Sequence, residues 1–372
     1  MLKKARISVR QVTVLMFLSL IGDMLLIYPT MITHIAHQDA WISSILSIPL
    51  GLIIIYVLLC VHELYPNLTL IEAIRKILGP VFGSIVSCWY LFYFLMGTAL
   101  NVREVGDYLT TQIFEDTPLR VLLAMQVLMF VLAVLAGIES FSRVSEILLP
   151  VYVFIFCGLI LGLLPQIQLS NVRPVLENGL APVAQGMVPG AAMPFAGMSI
   201  MLMVFPFVNK KAHFKKDMLL ASLTGGVLIS IFLLLSLLVI GPFVTNYSPY
   251  ISSALTTKIN ELNYITRVES LVSLIWALAA YFKGVIFFYA FTFGTTQLFR
   301  ISNVRPFVIP AGAIVFGMTI SITPNVFYYV RTLVYPMAAW HYTNGLIIPL
   351  LLWIVYLCRQ KWKHRQNTSK NE

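Results

Sequence analysis

The chain holds 372 residues, of which 59% are hydrophobic and 11% charged, and its mean hydropathy is +0.87. No soluble domain of this size needs that much apolar surface, so the composition excludes a water-soluble globular protein and points to a polytopic membrane protein. The net charge of +10 is no nucleic-acid footprint, because the basic residues are sorted by side once spans are assigned with the N-terminus inside. Lys3, Lys4, Arg6, Arg10, Arg75, Lys76, Arg143, the cluster Lys210 to Lys216, Arg300, Arg305 and the tail from Arg359 fall inside. Arg120, Arg173, Lys258, Arg267 and Arg331 fall outside, while Arg103 and Lys283 lie within spans. The bias predicts cytoplasmic N- and C-termini and an even number of crossings.

The opening Lys3-Lys4-Arg6 and its apolar run have the look of a signal peptide. The run is too long and lacks a small-residue cleavage site, so it reads as retained. Cys60, Cys88, Cys157 and Cys358 are isolated, with neither pairing nor metal spacing. Span 1 covers about residues 9–33 and carries Gly22-Asp23 at its middle, with Pro29 beyond. A carboxylate there costs roughly 2.5–3.5 kcal/mol on insertion scales, so Asp23 is expected to face the protein interior. Either a neighbouring hydroxyl satisfies it or the helix is interrupted there.

Span 2 covers about residues 40–62. The segment from Tyr65 to Lys76 reads as a short amphipathic cytoplasmic helix, with Thr69 and Glu72 spaced as a capping box. Span 3 covers about residues 83–113 and is long enough to be tilted. It carries Tyr90 and Tyr93 in its inner half, and Arg103 and Asp107 at i, i+4 spacing farther out. Spans 4 (about 119–137) and 5 (about 144–164) flank a short inner loop with Glu139, Arg143 and Glu146.

Span 6, about residues 185–206, reads as a broken helix. Pro189 and Pro194 each remove a backbone donor, and Gly190 and Gly197 leave the main chain bare. Freed backbone groups at membrane depth need partners in protein, water or a ligand, which makes such a segment a candidate small-molecule site. Span 7 covers about 218–240. In the outer loop 241–267, Ile251, Ala254, Leu255, Ile259 and Leu262 recur at helical spacing and predict an amphipathic helix across the outer mouth. Span 8 (about 269–299) carries Lys283 near its centre, and spans 9 (about 307–323) and 10 (about 336–358) precede a basic tail, 359–372. His341, between Trp340 and Tyr342, falls where an interfacial aromatic belt is expected.

Ten crossings form a single transmembrane domain over 1–358. It divides into halves of about 9–164 and 184–358 if spans 1–5 and 6–10 are inverted repeats. Asp23, Pro194 to Gly197 and Lys283 each lie near the midpoint of their span, so they are expected at one depth. The chain shows no nucleophile–base constellation, phosphate-cradling glycine loop or metal cluster at membrane depth, and no enzyme or cofactor is expected.

Asn171-Val172-Arg173-Pro174-Val175-Leu176 with Gly179-Leu180-Ala181-Pro182 resembles the loop before helix 6 in the B subunits of endospore germinant receptors. These are permease-like proteins of the amino acid–polyamine–organocation superfamily. Residues 22–29, Asp39-Ala40-Trp41-Ile42, Tyr65-Pro66-Asn67-Leu68 and Val268-Glu269-Ser270-Leu271 with Trp276 carry the same likeness. The resemblance implies an all-α, LeuT-like fold of ten helices with helices 1 and 6 broken. It implies residence in the spore inner membrane, assembly with A and C subunits, and a germinant, commonly an amino acid, bound among helices 1, 3, 6, 8 and 10. The binding residues it points to are Gly22, Asp23, Met24, Tyr93, Phe195, Ala196, Gly197, Ser199 and Lys283. Met24 stands where the family's Gly-x-Gly motif has its second glycine, and Ser199 stands where some relatives carry glutamate. Lys283 occupies a position that is often a small hydroxyl residue. There its ammonium is expected to replace the sodium of sodium-coupled relatives and lock helix 1 to helix 8. A permease moving amino acids or polyamines by alternating access is the alternative reading.

Overall fold

Apolar runs that cross a bilayer fold as helices because only a helix satisfies its own backbone there. The computed structural model describes residues 6–22, 24–209, 213–248, 250–260, 268–323, 328, 332 and 334–368, and each element named among them is helical. Helix 1 is made of α1 (Val9–Ile21) and α2 (Met24–Ala36), and helix 2 is α3 (Ala40–Leu64). A short α4 (Leu70–Leu78) precedes helix 3, α5 (Pro80–Gln112). Helices 4 and 5 are α6 (Leu119–Ala136) and α7 (Ile138–Leu163). Helix 6 joins α8 (Leu180–Phe195) to a 3-10 segment (Ala196–Met203), and helix 7 is α9 (Phe214–Tyr247). After α10 (Ile251–Asn260), helix 8 is α11 (Val268–Leu298) and helix 9 is α12 (Arg305–Ser321). Helix 10 runs through α13 (Val334–Tyr342), a π turn (Thr343–Ile347) and α14 (Ile348–Thr368).

Helix 1 is interrupted as expected. Ser8 caps α1 by accepting from the Gln11 amide, and the helix stops at Gly22, whose φ of −33° and ψ of −85° leave the helical path. Asp23 lies outside the described residues. Helix 6 is interrupted differently from the expectation. Pro189 and Pro194 both sit inside regular α-helix, and the winding changes only after Phe195. Neighbours make this possible. The carbonyl of Gly190, four residues before Pro194 and so without its usual donor, accepts from the Tyr28 hydroxyl at 3.4 Å. Ser43 donates to Val183 O at 3.0 Å and Tyr342 to Val188 O at 3.0 Å. Beyond Phe195 the chain tightens into eight residues of 3-10 helix, twice the usual length of such runs.

Several boundaries move outward from the expected ones, each at a glycine. Gly137, with φ +92°, is the whole connection between α6 and α7, so Glu139 and Glu146 belong to the first turns of α7 rather than to a loop. There they hold the N-terminal segment: Arg6 N–H donates to Glu139 at 2.8 Å, and Arg10 pairs with Glu146 at 2.8 Å. Ile7 adds a two-bond ladder with the chain leaving helix 6, donating to Phe207 O at 2.9 Å and accepting from the Asn209 amide at 3.0 Å. In α9, Gly241 (φ +81°) kinks the helix, which then continues to Tyr247. The carbonyl of Leu238 that the kink releases accepts from the Gln168 amide and the Asn171 side chain.

In the described part of the outer loop the expected amphipathic helix forms as α10, while Leu262, the last apolar residue of the expected pattern, lies outside the described residues. Ile251 and Leu255 are fully buried, and the Tyr250 ring just before them packs edge-on against Tyr108, which in turn meets Trp276. Burial pushes the Tyr250 phenol above its ordinary value, and the carboxylates of Asp107 and Glu104 add to that shift against a hydrogen bond with Thr111. The outer ends of helices 3 and 8 are thus covered.

Candidate functional site

Helices 3 and 8 run antiparallel in close register. A side chain built on Gly284 would meet Asn101, one on Gly97 would meet Phe287, and one on Gly294 would meet Leu91. Bare glycines on both helices let the partner side chains seat against backbone. Between these helices, helix 6 and helix 10 lies a cavity of about 150 Å³.

Its wall on helix 3 is a stripe, Tyr93, Gly97, Asn101 and Glu104, recurring every three to four residues on one face. At about 1.5 Å rise per residue the stripe is roughly 16 Å long, so the cavity is a slot along the helix. The outer end carries Asn101, Glu104 and Lys283, which are 3%, 6% and 3% exposed. The middle is apolar, with Met96, Met193 and Phe287. The inner end is closed by Tyr93, whose hydroxyl is 2.8 Å from His341 Nδ1. Towards the outside of the bundle the slot is flanked by Phe92, Met337 and Trp340.

The residues singled out in the sequence distribute as follows. Tyr93 and Lys283 line the slot. Gly22 lies against Lys283: a Cβ there would come within 3.1 Å of that side chain and 3.3 Å of Ala279 O. Gly197 faces His341, 3.6 Å from the position its own Cβ would take. Ala196 meets Gly345 of the π turn, backbone to backbone. Phe195 points away, into the space left by Gly51 of helix 2 and Gly226 of helix 7. Ser199 is fully buried, and its hydroxyl has no hydrogen-bond partner. Asp23 is outside the described residues; Met24 begins α2. The Arg103–Asp107 pair expected from spacing is present, Nε to Oδ1 at 2.9 Å, though buried rather than near the surface.

Three residues escaped the sequence reading. His341 belongs to the slot rather than to an interfacial belt. Its two aromatic neighbours lie about 100° to either side of it around the helix, so their belt character says little about the residue between them. Asn101 was overshadowed by the charges that follow it. Gly345 carries no local signal of a π turn. Among the described residues no group of three or more His, Cys, Asp or Glu is placed to hold a metal ion.

Helix 1, interrupted at Gly22, and helix 6, whose winding changes after Phe195, flank a partly open slot in a bundle of apolar helices, the architecture of a polytopic membrane protein. Residues 6–327 match the family described as Spore germination protein, and the chain belongs to that family. It is 29% identical over 378 residues to Spore germination protein KB of Bacillus subtilis (strain 168), covering 100% of this chain and 99% of that protein. It is 26% identical over 302 residues to Spore germination protein YndE of the same organism, covering 80% and 82%. Among solved structures, Mhp1, a nucleobase-cation-symport-1 family transporter in a closed conformation with bromovinylhydantoin bound, matches with a TM-score of 0.64. The match has 12% identity over 92% of this chain and 79% of that one. MhsT in complex with L-phenylalanine matches with a TM-score of 0.60 at 12% identity, over 95% and 99%. At such identity the likeness speaks for the fold alone, which is the LeuT-like arrangement.

Proposed function

We propose that this chain is the ligand-sensing membrane subunit of a spore germination receptor. A small-molecule germinant, an amino acid, occupies the slot among helices 3, 6, 8 and 10, with the interruption of helix 1 behind Lys283. Its binding favours one arrangement of the bundle, which A- and C-type partner subunits read in the spore inner membrane, with both termini on the core side. The observation that carries this reading is the slot itself. It has polar groups at both ends and apolar walls between, and about 150 Å³ is the size of cavity known to hold a benzene-sized guest. Binding can shift the bundle only by the difference in affinity between its two states. Tyr93 and Lys283 are assigned to the wall of this site, with Gly22 behind Lys283 and Gly197 facing His341 at its edge.

The test is a germination assay on spores carrying Gly22→Leu or Ala196→Leu. The germinant response is expected to vanish while the amount of assembled receptor stays constant. Normal germination in both variants would put the site elsewhere. The transporter fold favours one second reading, an amino acid or polyamine permease. Uptake of labelled solute into proteoliposomes, with and without an ion gradient, separates the two.

A further inference from the structure

We propose that the slot opens sideways to the bilayer between helices 3 and 10, and that in the ligand-free protein an acyl chain of a surrounding phospholipid enters it there. The end of the chain lies in the apolar middle of the slot, against Met193 and Phe287. A solute that binds in the slot has to displace it, so the inference holds whichever solute that is.

Both flanking segments, Pro80–Gln112 and Val334–Lys361, are long and apolar enough to cross a membrane. On helix 3, Phe82, Ile85, Trp89 and Phe92 recur every three to four residues and are between 41% and 71% exposed, so this row is the face the helix turns to lipid. The same row runs on through Met96 and Leu100, which are half-buried and line the slot. Lipid-facing surface and cavity wall are therefore one continuous strip. On helix 10, likewise, Tyr335 and Ala339 are exposed, while Met337 and Trp340 are half-buried on the slot wall.

The register of the two helices places the mouth. Tyr90 donates to Asn344 O and Tyr93 meets His341, so three residues forward on helix 3 is three back on helix 10. At that level the rims touch, with the Trp340 ring 4.6 Å from Trp89 and 5.8 Å from Phe92. One turn farther out the same register sets Met96 and Gly97 opposite Met337, and Gly97 brings no side chain to fill the gap. The middle of the slot is apolar, and an apolar cavity of about 150 Å³ stays dry but takes a benzene-sized guest. Left empty, its lining forfeits the dispersion contacts of a packed interior. At this depth the material against the mouth is hydrocarbon, and a chain end restores those contacts with no polar group to desolvate. A partner's helix, about 10–12 Å across with its side chains, is too broad to enter.

The full-length chain is placed in nanodiscs of phosphatidylcholine, part of which carries a diazirine at the middle of one acyl chain. On illumination the carbene inserts into whatever lies beside it, and the labelled residues are identified by peptide mass spectrometry. Phe82 and Ile85 report the lipid face, and Phe94, fully buried, reports the background. Label is expected on Met96 and Met337 at the mouth and, beyond them, on Met193 and Phe287, which are 1% and 2% exposed. Met193 and Phe287 at background while Phe82 and Ile85 are labelled would overturn the proposal. So would label on Met193 or Phe287 with none on Met96 and Met337, because the chain would then enter elsewhere. Met96→Trp and, on the facing helix, Met337→Trp put a bulkier ring at the mouth. Each is expected to lose the label on Met193 and Phe287 and to keep that on Phe82 and Ile85; inner label unchanged in both overturns the mouth. Should a variant fail to fold, the wild-type pattern decides by itself.

Discussion

Gly345 lays its bare Cα against the main chain of Ala196, so the π turn of helix 10 meets helix 6 where its winding tightens from α to 3-10. Each irregular segment accommodates the other. Thr343 and Asn344 donate to the carbonyls of Ala339 and Trp340 at 2.8 Å, and Tyr90 of helix 3 donates to Asn344 O at 2.7 Å. The widened turn is thus held by side chains while its glycine touches helix 6.

Gly345→Ala places a methyl group where the Ala196 carbonyl already sits. Overpacking of this kind costs about 1–3 kcal/mol, and both partners are backbone, which yields less than a side chain. The variant is expected to melt several degrees lower in nanodiscs, and Gly345→Val lower still. Equal melting temperatures would mean that helix 6 can move aside freely.

Thr69 ties the short α4 to the end of helix 8. Its hydroxyl caps α4 at the Glu72 amide and donates to Gln297 Oε1 at 2.7 Å, while Arg75 reaches Leu298 O at 3.4 Å. Thr69→Ala should cost about 1–2 kcal/mol, as N-cap losses do, and Thr69→Ser should restore most of it. Amide exchange across 70–78, faster in Thr69→Ala and normal in Thr69→Ser, checks the assignment.

That capping box was readable in the sequence because both of its members lie within four residues, and so were the long apolar helices, eight of which among the described residues are long and apolar enough to cross a membrane. The interruption at Gly22 and the α10 cover could be read for the same local reasons. What could not be read depends on contacts far apart in the chain. Pro194 stays helical because Tyr28, from helix 1, supplies a donor to the carbonyl that the proline frees. Phe195 turns away from the slot because Gly51 and Gly226 leave it a berth in helices 2 and 7. The register that sets Asn101 beside Gly284 exists only once helices 3 and 8 are packed.

Tyr93 and His341 close the inner end of the slot through one hydrogen bond. Tyr93→Phe keeps the ring contacts with Phe287 and Trp340 at 5.8 and 6.2 Å and removes only the hydroxyl. A cost of about 0.5–1.5 kcal/mol is expected, with a small fall in melting temperature. A melting temperature equal to that of the wild type would mean that the hydrogen bond to His341 contributes nothing to holding that end of the slot closed.

Lys283 is a cation 3% exposed in the middle of helix 8, its aliphatic stem packed on Gly22 at the interruption of helix 1. Burying an ammonium at that depth is costly unless its charge is answered by the protein, so removing it should disturb more than local packing. Lys283→Ala is expected to lose about 2–5 kcal/mol, from the void beside Gly22 and from charge interactions left incomplete, and to abolish the germinant response. If the lysine takes the part a sodium ion would play between helices 1 and 8, the wild type should melt at the same temperature in sodium chloride and in potassium chloride of equal strength. Lys283→Ser, which offers a small hydroxyl, is the variant in which a dependence on sodium is expected to emerge. A wild type stabilised selectively by sodium, or a Lys283→Ala variant as stable and responsive as the wild type, would refute this role for Lys283.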